Sequence, residues 1–265
     1  MYTDTHTHTT FSTDSVMKIH EAVESAIQKN LSGIAFTDHY DYAYTASADE
    51  FHYDIDEYFN VVNSAKEKYN GKLSVYTAIE VGFQPHIVSE VNQIINKYDF
   101  DFIIGSTHLI HGIDPYDGKY FQGREKKECY LEYIQEVYKN LILYDNFDAI
   151  GHFDYHVRYV NMFKDRTFCY NDFSDIMDMI FMNLIERGKA LEINTSTYQK
   201  VPLDTAHLKR YKELGGELVT IGSDAHKKED IARIFDEYIP IIKECGFDYL
   251  VHYKERKPVF TKIKL

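Results

Sequence analysis

Two short segments at opposite ends of the chain carry the same arrangement of metal-capable side chains. Near the start stands Asp4-Thr5-His6-Thr7-His8, and near the end Gly222-Ser223-Asp224-Ala225-His226. In an extended strand the side chains alternate between faces, so residues two apart share a face and can chelate one ion. Asp4 shares the face of His6 and His8 and could orient an imidazole from behind. Between the two segments lie Asp38-His39, Glu80, His108, His152 with Asp154, and Asn194. Imidazole and carboxylate together are the donor set for Zn, Fe or Mn. Each residue also has a plainer reading. A lone His is more often a satisfied polar group, and an Asp after a strand commonly caps a helix or shapes a turn, which would serve for Asp14 and Asp224. The series as a whole resists that reading, because independent strand ends would also carry Ser, Thr, Gly and Lys freely.

These residues need a scaffold that gathers them. Short apolar runs at Met1–His6, Gly33–Thr37, Leu73–Ile79, Phe102–Gly105, Phe147–Gly151, Ala190–Ile193 and Leu218–Ile221 read as seven strands. Helical patterns follow them at Ser15–Asn30, Asp56–Tyr69, Ile87–Lys97, Lys126–Tyr144, Asp172–Arg187, Thr205–Leu214 and Lys228–Glu244. Strands alternating with helices imply a parallel sheet. Seven such units suggest a barrel of the TIM-like (β/α) type, distorted or incomplete, with an open doubly wound sheet as the runner-up. In a barrel all the decorated strand ends share one face, where such folds keep their active sites. The tail, Tyr249–Lys264, reads as two extended segments around Glu255–Pro258, a hairpin closing one end. With no repeat, no low-complexity run and only five prolines in 265 residues, a single domain over 1–265 is the simplest organisation.

Bulk composition narrows the function. The formal charge of −13 disfavours a nucleic-acid partner. No apolar run is long enough to span a membrane, and the polar N-terminus does not read as a signal peptide. Three scattered cysteines, Cys129, Cys169 and Cys245, fit a reduced cytoplasmic protein without a Cys-based metal site.

Taken in order, the signatures resemble the polymerase-and-histidinol-phosphatase (PHP) superfamily. They are D-x-H-x-H at Asp4, His6 and His8 followed by Ser12; Thr37-Asp38-His39; Glu80 in AIEV; His108 in GSTH; His152 in GHFD; and GSDAH at the end. The stretches GSTHLIHGIDPYDGKYF, GHFDYHVRY and EINTS look like the histidinol-phosphate phosphatase branch. The resemblance implies a distorted (β/α)7 barrel holding two to three divalent ions (Zn, Mn or Fe). By position, His6, His8, Glu80 and Asp224 would hold the first, and Glu80, His108 and His152 the second, with Glu80 bridging. Asp14, His39 and His226 would hold the third; the competing role for Asp14 is an N-cap of the helix near Ser15. Relatives of this branch often carry an Arg after the N-T-S of strand six as a phosphate contact. Here the segment runs Asn194-Thr195-Ser196-Thr197-Tyr198-Gln199-Lys200 without one, and Lys200 would act only as a point charge.

The chemistry expected is hydrolysis of a small phosphomonoester, L-histidinol phosphate first. Three divalent ions less three ligand carboxylates leave roughly +3, attractive to a phosphate dianion. A bridging water would lose its proton near neutral pH and attack the phosphorus as hydroxide. Arg158 could clamp the phosphate, or else form a surface ion pair. Asp154 and His226 are the candidates for protonating the leaving alcohol. Substrate contacts are expected from Ser12, His111, Arg158, Asn194 and Lys200, with Asp114, Tyr116, Asp41 and Tyr42 as further acceptors for an ammonium or imidazole. The competing readings are a phosphodiesterase or nuclease of the same superfamily, a phosphatase for another small ester, a closed non-catalytic metal domain, and an amidohydrolase, which would need a bridging Lys that has no candidate here.

Overall fold

The computed structural model describes residues 1–46 and 51–264. Its centre is a parallel sheet of β1 (Thr3–Thr7), β2 (Gly33–Phe36), β4 (Ser74–Gly82), β5 (Phe102–Ser106), β6 (Ala149–Ile150), β7 (Ala190–Asn194) and β8 (Val219–Gly222), in that order. β3 (His39–Tyr40) continues the line of β2 after a break and pairs His39 with Glu80 on β4. The sheet curls until its edges meet. Thr7 bridges Ala225 in parallel, the His8 N–H donates to the Ala225 carbonyl, and the Asp224 N–H donates to the His6 carbonyl. This closure rules out the open doubly wound sheet and gives the seven-stranded distorted barrel.

The period of two decides what each strand presents. Tyr76, Ala78 and Glu80 share a face of β4; Phe102, Ile104 and Ser106 share one of β5; Ala190, Glu192 and Asn194 share one of β7. Along each series the side chains run from apolar to polar. Ala35, Tyr76, Ala78, Phe102, Ile104, Ala149 and Ala190 form an inner apolar layer at the N-terminal end of the strands. The imidazoles and carboxylates occupy the C-terminal end. The opposite faces, with Ile79, Val81, Ile103, Leu191 and Ile193, pack into the large outer core beneath the helices.

β1 is buried throughout despite the sequence TDTHT. Its threonines satisfy their hydroxyls on neighbouring strands: Thr5 donates to the Ile221 carbonyl and Thr7 to that of Ala35, both at 2.8 Å. The helices are α1 (Ile19–Gln28), α2 (Ile55–Lys68), α3 (Val88–Lys97), α4 (Lys126–Leu143), α5 (Ser174–Glu186), a single turn α6 (Thr195–Tyr198), α7 (Thr205–Glu213) and α8 (Phe235–Glu244). α1 and α8 start several residues later than the sequence pattern implies, and α6 was not foreseen. The late start of α1 removes the N-cap role for Asp14, since Lys18 stands at that position. None of the helices among the described residues is long and apolar enough to cross a membrane.

The tail is the expected hairpin, β9 (Tyr249–Lys254) against β10 (Lys257–Lys262). Its two-residue turn holds both Glu255 (φ 51°) and Arg256 (φ 63°) in the left-handed region, the backbone of the turns that suit a twisted hairpin. Val251 and Tyr253 enter the inner apolar layer, and the Tyr253 ring stacks on Phe102 at 5.0 Å. The hairpin therefore plugs the barrel end opposite the polar cluster.

Candidate metal centre and active site

Three strands bring the first group together. His6 comes from β1 and His8 from the residue just after it, Glu80 from β4, and Asp224 from the turn that follows β8. The Nε2 atoms of His6 and His8 lie 3.0 Å apart. Glu80 Oε2 is 3.3 Å from the first and 3.5 Å from the second, and Asp224 Oδ1 is 3.1 Å from His8 Nε2. Asp224 itself is left-handed, with φ 52°. The turn is held from below: the Asp4 carboxylate accepts from Ser223 N and Oγ and from the Ala232 amide. Asp4 is the reason this turn closes against β1. It touches no imidazole, so the orienting role expected for it falls elsewhere.

Glu80 divides the cluster. Its Oε2 faces His6, His8 and the Nδ1 of His39, the last at 2.9 Å. Its Oε1 lies 2.8 Å from His152 Nε2 and 3.4 Å from His108 Nε2, and accepts from Ser106 Oγ at 2.6 Å. A third group stands nearer the mouth, where Asp14 Oδ2 is 3.1 Å from His226 Nε2 and 3.7 Å from His39 Nε2.

The donor chemistry fits divalent cations. His6 Nδ1 meets Glu192 Oε1 at 2.6 Å and His8 Nδ1 meets Ser12 Oγ at 3.1 Å. Acceptors at both Nδ1 atoms leave the two Nε2 lone pairs aimed at each other, an arrangement that calls for a cation between them. Glu80 Oε2 and His108 Nε2 are buried without a hydrogen-bond partner. Burial alone would strip His6 of its proton, but Glu192, Glu80 and Asp224 hold its pKa well above the usual imidazole range. Burial likewise opposes ionisation of Glu80, yet His6, His39 and His108 keep it well below the usual carboxylate range. His8 shows the converse: burial, then His39 and His226, push it well down. The carboxylates thus favour positive charge at most of the imidazoles, the charge that divalent cations would supply, and five triplets of these residues place ligand atoms within 4.8 Å of one another.

The surrounding residues lock these side chains. Glu192 Oε2 also accepts the His152 amide at 2.7 Å, so one carboxylate ties both sides of the cluster together. Asp41 Oδ1 takes the Nδ1 of His108 at 2.7 Å. Neither residue was foreseen in this role. Asp41 was expected to meet substrate, and Glu192, between Leu191 and Ile193, reads as an ordinary strand residue; its only signal is sharing a face with Asn194. Asp38 accepts from Thr9 N and Oγ1 and from Ser12 N and Oγ, so this strand-end carboxylate braces the β1 loop and binds no imidazole.

A cavity of about 260 Å³ opens over the cluster, walled by Asp14, His39, His108, His152, Asp224 and His226 on one side and by aromatic residues on the other. Arg158 lines it and is buried. Its Nη1 donates to Asp224 Oδ2 at 2.6 Å, its Nε to Thr197 Oγ1 at 2.7 Å, and Nη2 has no partner. The alternative of a surface ion pair is thereby corrected.

Other expected contacts lie elsewhere. Ser12 Oγ is fully engaged behind His8, and Asn194 is enclosed, with Nδ2 facing Glu192 and Asp224 while Oδ1 accepts from Ser196 N. Asp154 turns away beneath the cavity floor to Thr197 and Tyr198, where burial raises its pKa to about 6. His111 is 62% exposed in a tight turn and faces Glu132. Lys200 is exposed, its ammonium 5.0 Å over the Tyr159 ring, outside the cavity wall.

Residues 4–196 match the family model described as PHP domain. The chain is 36% identical to a probable histidinol-phosphatase of Clostridium acetobutylicum, over 100% of this chain and 98% of the relative. It is 31% identical to the histidinol-phosphatase of Lactococcus lactis, over 96% and 95%. The crystal structure of the Lactococcus lactis histidinol phosphate phosphatase, complexed with Zn, L-histidinol and phosphate, superposes with a TM-score of 0.92 at 29% identity, covering 97% of this chain and 98% of that one. The family match stops short of Asp224 and His226, which the barrel's closure returns to the same site. With its strand-end cluster, its closed barrel and these relatives, the chain belongs to the PHP-domain family.

Proposed function

We propose that this chain is a metal-dependent phosphatase that hydrolyses L-histidinol phosphate to L-histidinol and phosphate, a cytoplasmic step of histidine biosynthesis. The observation that carries this reading is Arg158, a buried guanidinium tied to Asp224 with Nη2 unused, lining the cavity over the cluster. A phosphate dianion meets such a fork through short charge-assisted hydrogen bonds. The likeness to a phosphatase structure holding Zn, L-histidinol and phosphate supports the same substrate.

His6, His8, Glu80 and Asp224 would hold one divalent ion, Glu80, His108 and His152 a second, and Asp14, His39 and His226 a third. Bound there, the ions supply Lewis acidity, a water of lowered pKa and charge that offsets the phosphate's own. The chain's residues prepare for this. Glu192 and Ser12 set the tautomers of His6 and His8. Asp224, shared between His8 and Arg158, fixes the guanidinium relative to the cluster. Arg158 then orients the phosphate. His226 was expected both as ligand and as proton donor. One nitrogen cannot serve both roles in one state, and its Nε2 faces Asp14, so we assign it to the third ion. Asp154 lies outside the cavity, which leaves the alcohol's proton to water.

A cavity of about 260 Å³ suits a small monoester. The charge of −13 counts against a polyanionic strand. Phosphate release from L-histidinol phosphate, by protein loaded with Zn or Mn, should exceed hydrolysis of bis-p-nitrophenyl phosphate at least about a hundredfold in kcat/KM. An equal or faster diester rate moves the chain to the phosphodiesterases.

A further inference from the structure

The Arg158 guanidinium is held at two of its nitrogens, and only one hold belongs to the cluster. Asp224 Oδ2 accepts from Nη1 at 2.6 Å, while Oδ1 of the same carboxylate faces His8 Nε2 at 3.1 Å. The other hold is Thr197 Oγ1, which accepts from Nε at 2.7 Å. A hydroxyl carries a single hydrogen. Thr197 directs it to Asp154 Oδ1 at 3.3 Å, which leaves the hydroxyl's lone pairs turned toward Nε. Asp154, Thr197 and Arg158 are all buried, so a bond left unmade in this chain has no solvent to replace it.

The elements bring the three together. Asp154 stands immediately before the 3-10 turn Tyr155–Arg158, and Thr197 lies in the single turn α6. Asp154 also accepts from the Tyr198 hydroxyl, whose ring stacks on Tyr238 at 5.3 Å. Asp154, Tyr198 and Tyr238 do not line the cavity. The Asp154 carboxylate therefore has two donors, one leading to the guanidinium and one leading away from it. Burial opposes the charge of Arg158, and the carboxylates of Asp224 and Asp154 favour it.

Resting on the phosphatase reading above, we propose that Asp154 is a positioning residue for phosphate binding, fixing the Thr197 hydroxyl so that Arg158 presents its unpartnered Nη2 to the cavity. Asp224 does not suffice for this. One hydrogen bond at Nη1 leaves the guanidinium plane free to swing, and the Asp224 charge is shared with the cation position beside His8. Asp154 adds the second anchor from the side away from the cluster, and a planar fork held at two points keeps the orientation that a phosphate requires.

The test reads inorganic phosphate as a competitive inhibitor of the Zn-loaded protein. Thr197→Val keeps the shape and removes both hydrogen bonds, so the phosphate Ki should rise roughly ten- to a hundredfold, and Thr197→Ser should restore most of it. Asp154→Asn should raise Ki about tenfold, with KM changing more than kcat. On top of Thr197→Val it should add less than about threefold, because the group it acts through is already gone. Zn retained after dialysis should not change. A wild-type Ki in Asp154→Asn overturns the proposal, as does an effect that multiplies in full on Thr197→Val. Loss of Zn in step with Ki also overturns it, placing the action at His152 instead. A wild-type protein that phosphate does not inhibit overturns the phosphatase reading as well. Should Asp154→Asn not fold, Tyr198→Phe and Thr197→Val decide between them, since each removes one donor from Asp154 and only Thr197 leads to Arg158. Phosphate inhibition should weaken in Thr197→Val alone; equal weakening in both, or none in Thr197→Val, overturns the proposal.

Discussion

Glu192 is the residue on which the cluster's geometry turns, although it faces none of the lone pairs a metal would take. One of its oxygens sets the tautomer of His6 and the other holds the backbone of His152. Removing its charge while keeping its shape isolates that function. In Glu192→Gln the amide oxygen or nitrogen can still meet His6, but the fixed acceptor is gone and the ring loses basicity. The expected result is a ten- to hundredfold weaker metal affinity, read as Zn retained after dialysis against a graded Zn buffer. Unchanged Zn retention would show that the carboxylate serves only the barrel wall. The sequence makes the cluster legible because strand parity and residue type together bring His6, His8, Glu80 and Asp224 to one face as candidate ligands. It hides Glu192 because a carboxylate inside an apolar strand carries no local mark of which ligand it supports.

At the scale of elements, the two ends of the barrel divide the labour. The C-terminal ends of the strands hold the imidazoles and carboxylates, and the N-terminal ends are sealed by the β9–β10 hairpin. Asp101 and Asp148 fasten that plug: Asp101 accepts the Glu255 amide, and Asp148 accepts from Arg256 Nε. Tyr253 is 4% exposed and stacks on Phe102. Tyr253→Ala should cost about 3 kcal/mol of stability, by loss of an aromatic from a packed layer, measured by urea unfolding. At 25 °C the folded fraction should retain the wild-type kcat, because the plug and the cavity occupy opposite ends. A large drop in kcat at full folding would mean that the inner layer sets the ligand geometry.

The molecule as a whole couples pH to folding through histidines that no substrate touches. His207 is enclosed by Phe153, Phe168 and Tyr170, and burial lowers its pKa to about 4. His156, caged by Tyr130, Tyr133 and Phe168 with neither ring nitrogen partnered, is pushed well below its ordinary value for the same reason. An unfolded chain protonates His207 near pH 6.5, and the folded one does so only near pH 4. The folded state therefore binds fewer protons in that window, and stability falls as pH drops through it. The integrated loss from His207 is on the order of 3 kcal/mol. Denaturant midpoints at pH 7.5 and pH 4.5 should differ less in His207→Leu than in the wild type. An identical difference would mean that His207 finds a proton-accepting partner in the fold.

The sequence by itself determined the parallel barrel, the strand that begins it, the hairpin that ends it and the ring of His, Asp and Glu at the strand ends. Periodicity and residue type are local properties, and each strand carries its own record of them. Only the tertiary structure decided which polar groups meet. It took Asp4 and Asp38 out of the site as braces, turned Asp154 beneath the floor, left His111 and Lys200 outside, and buried Arg158 against Asp224. Those outcomes depend on the curvature that closes β1 onto β8 and on the loop path beyond each strand. A loop side chain a few residues past a strand has no fixed parity, so its direction follows from packing that the local sequence does not encode.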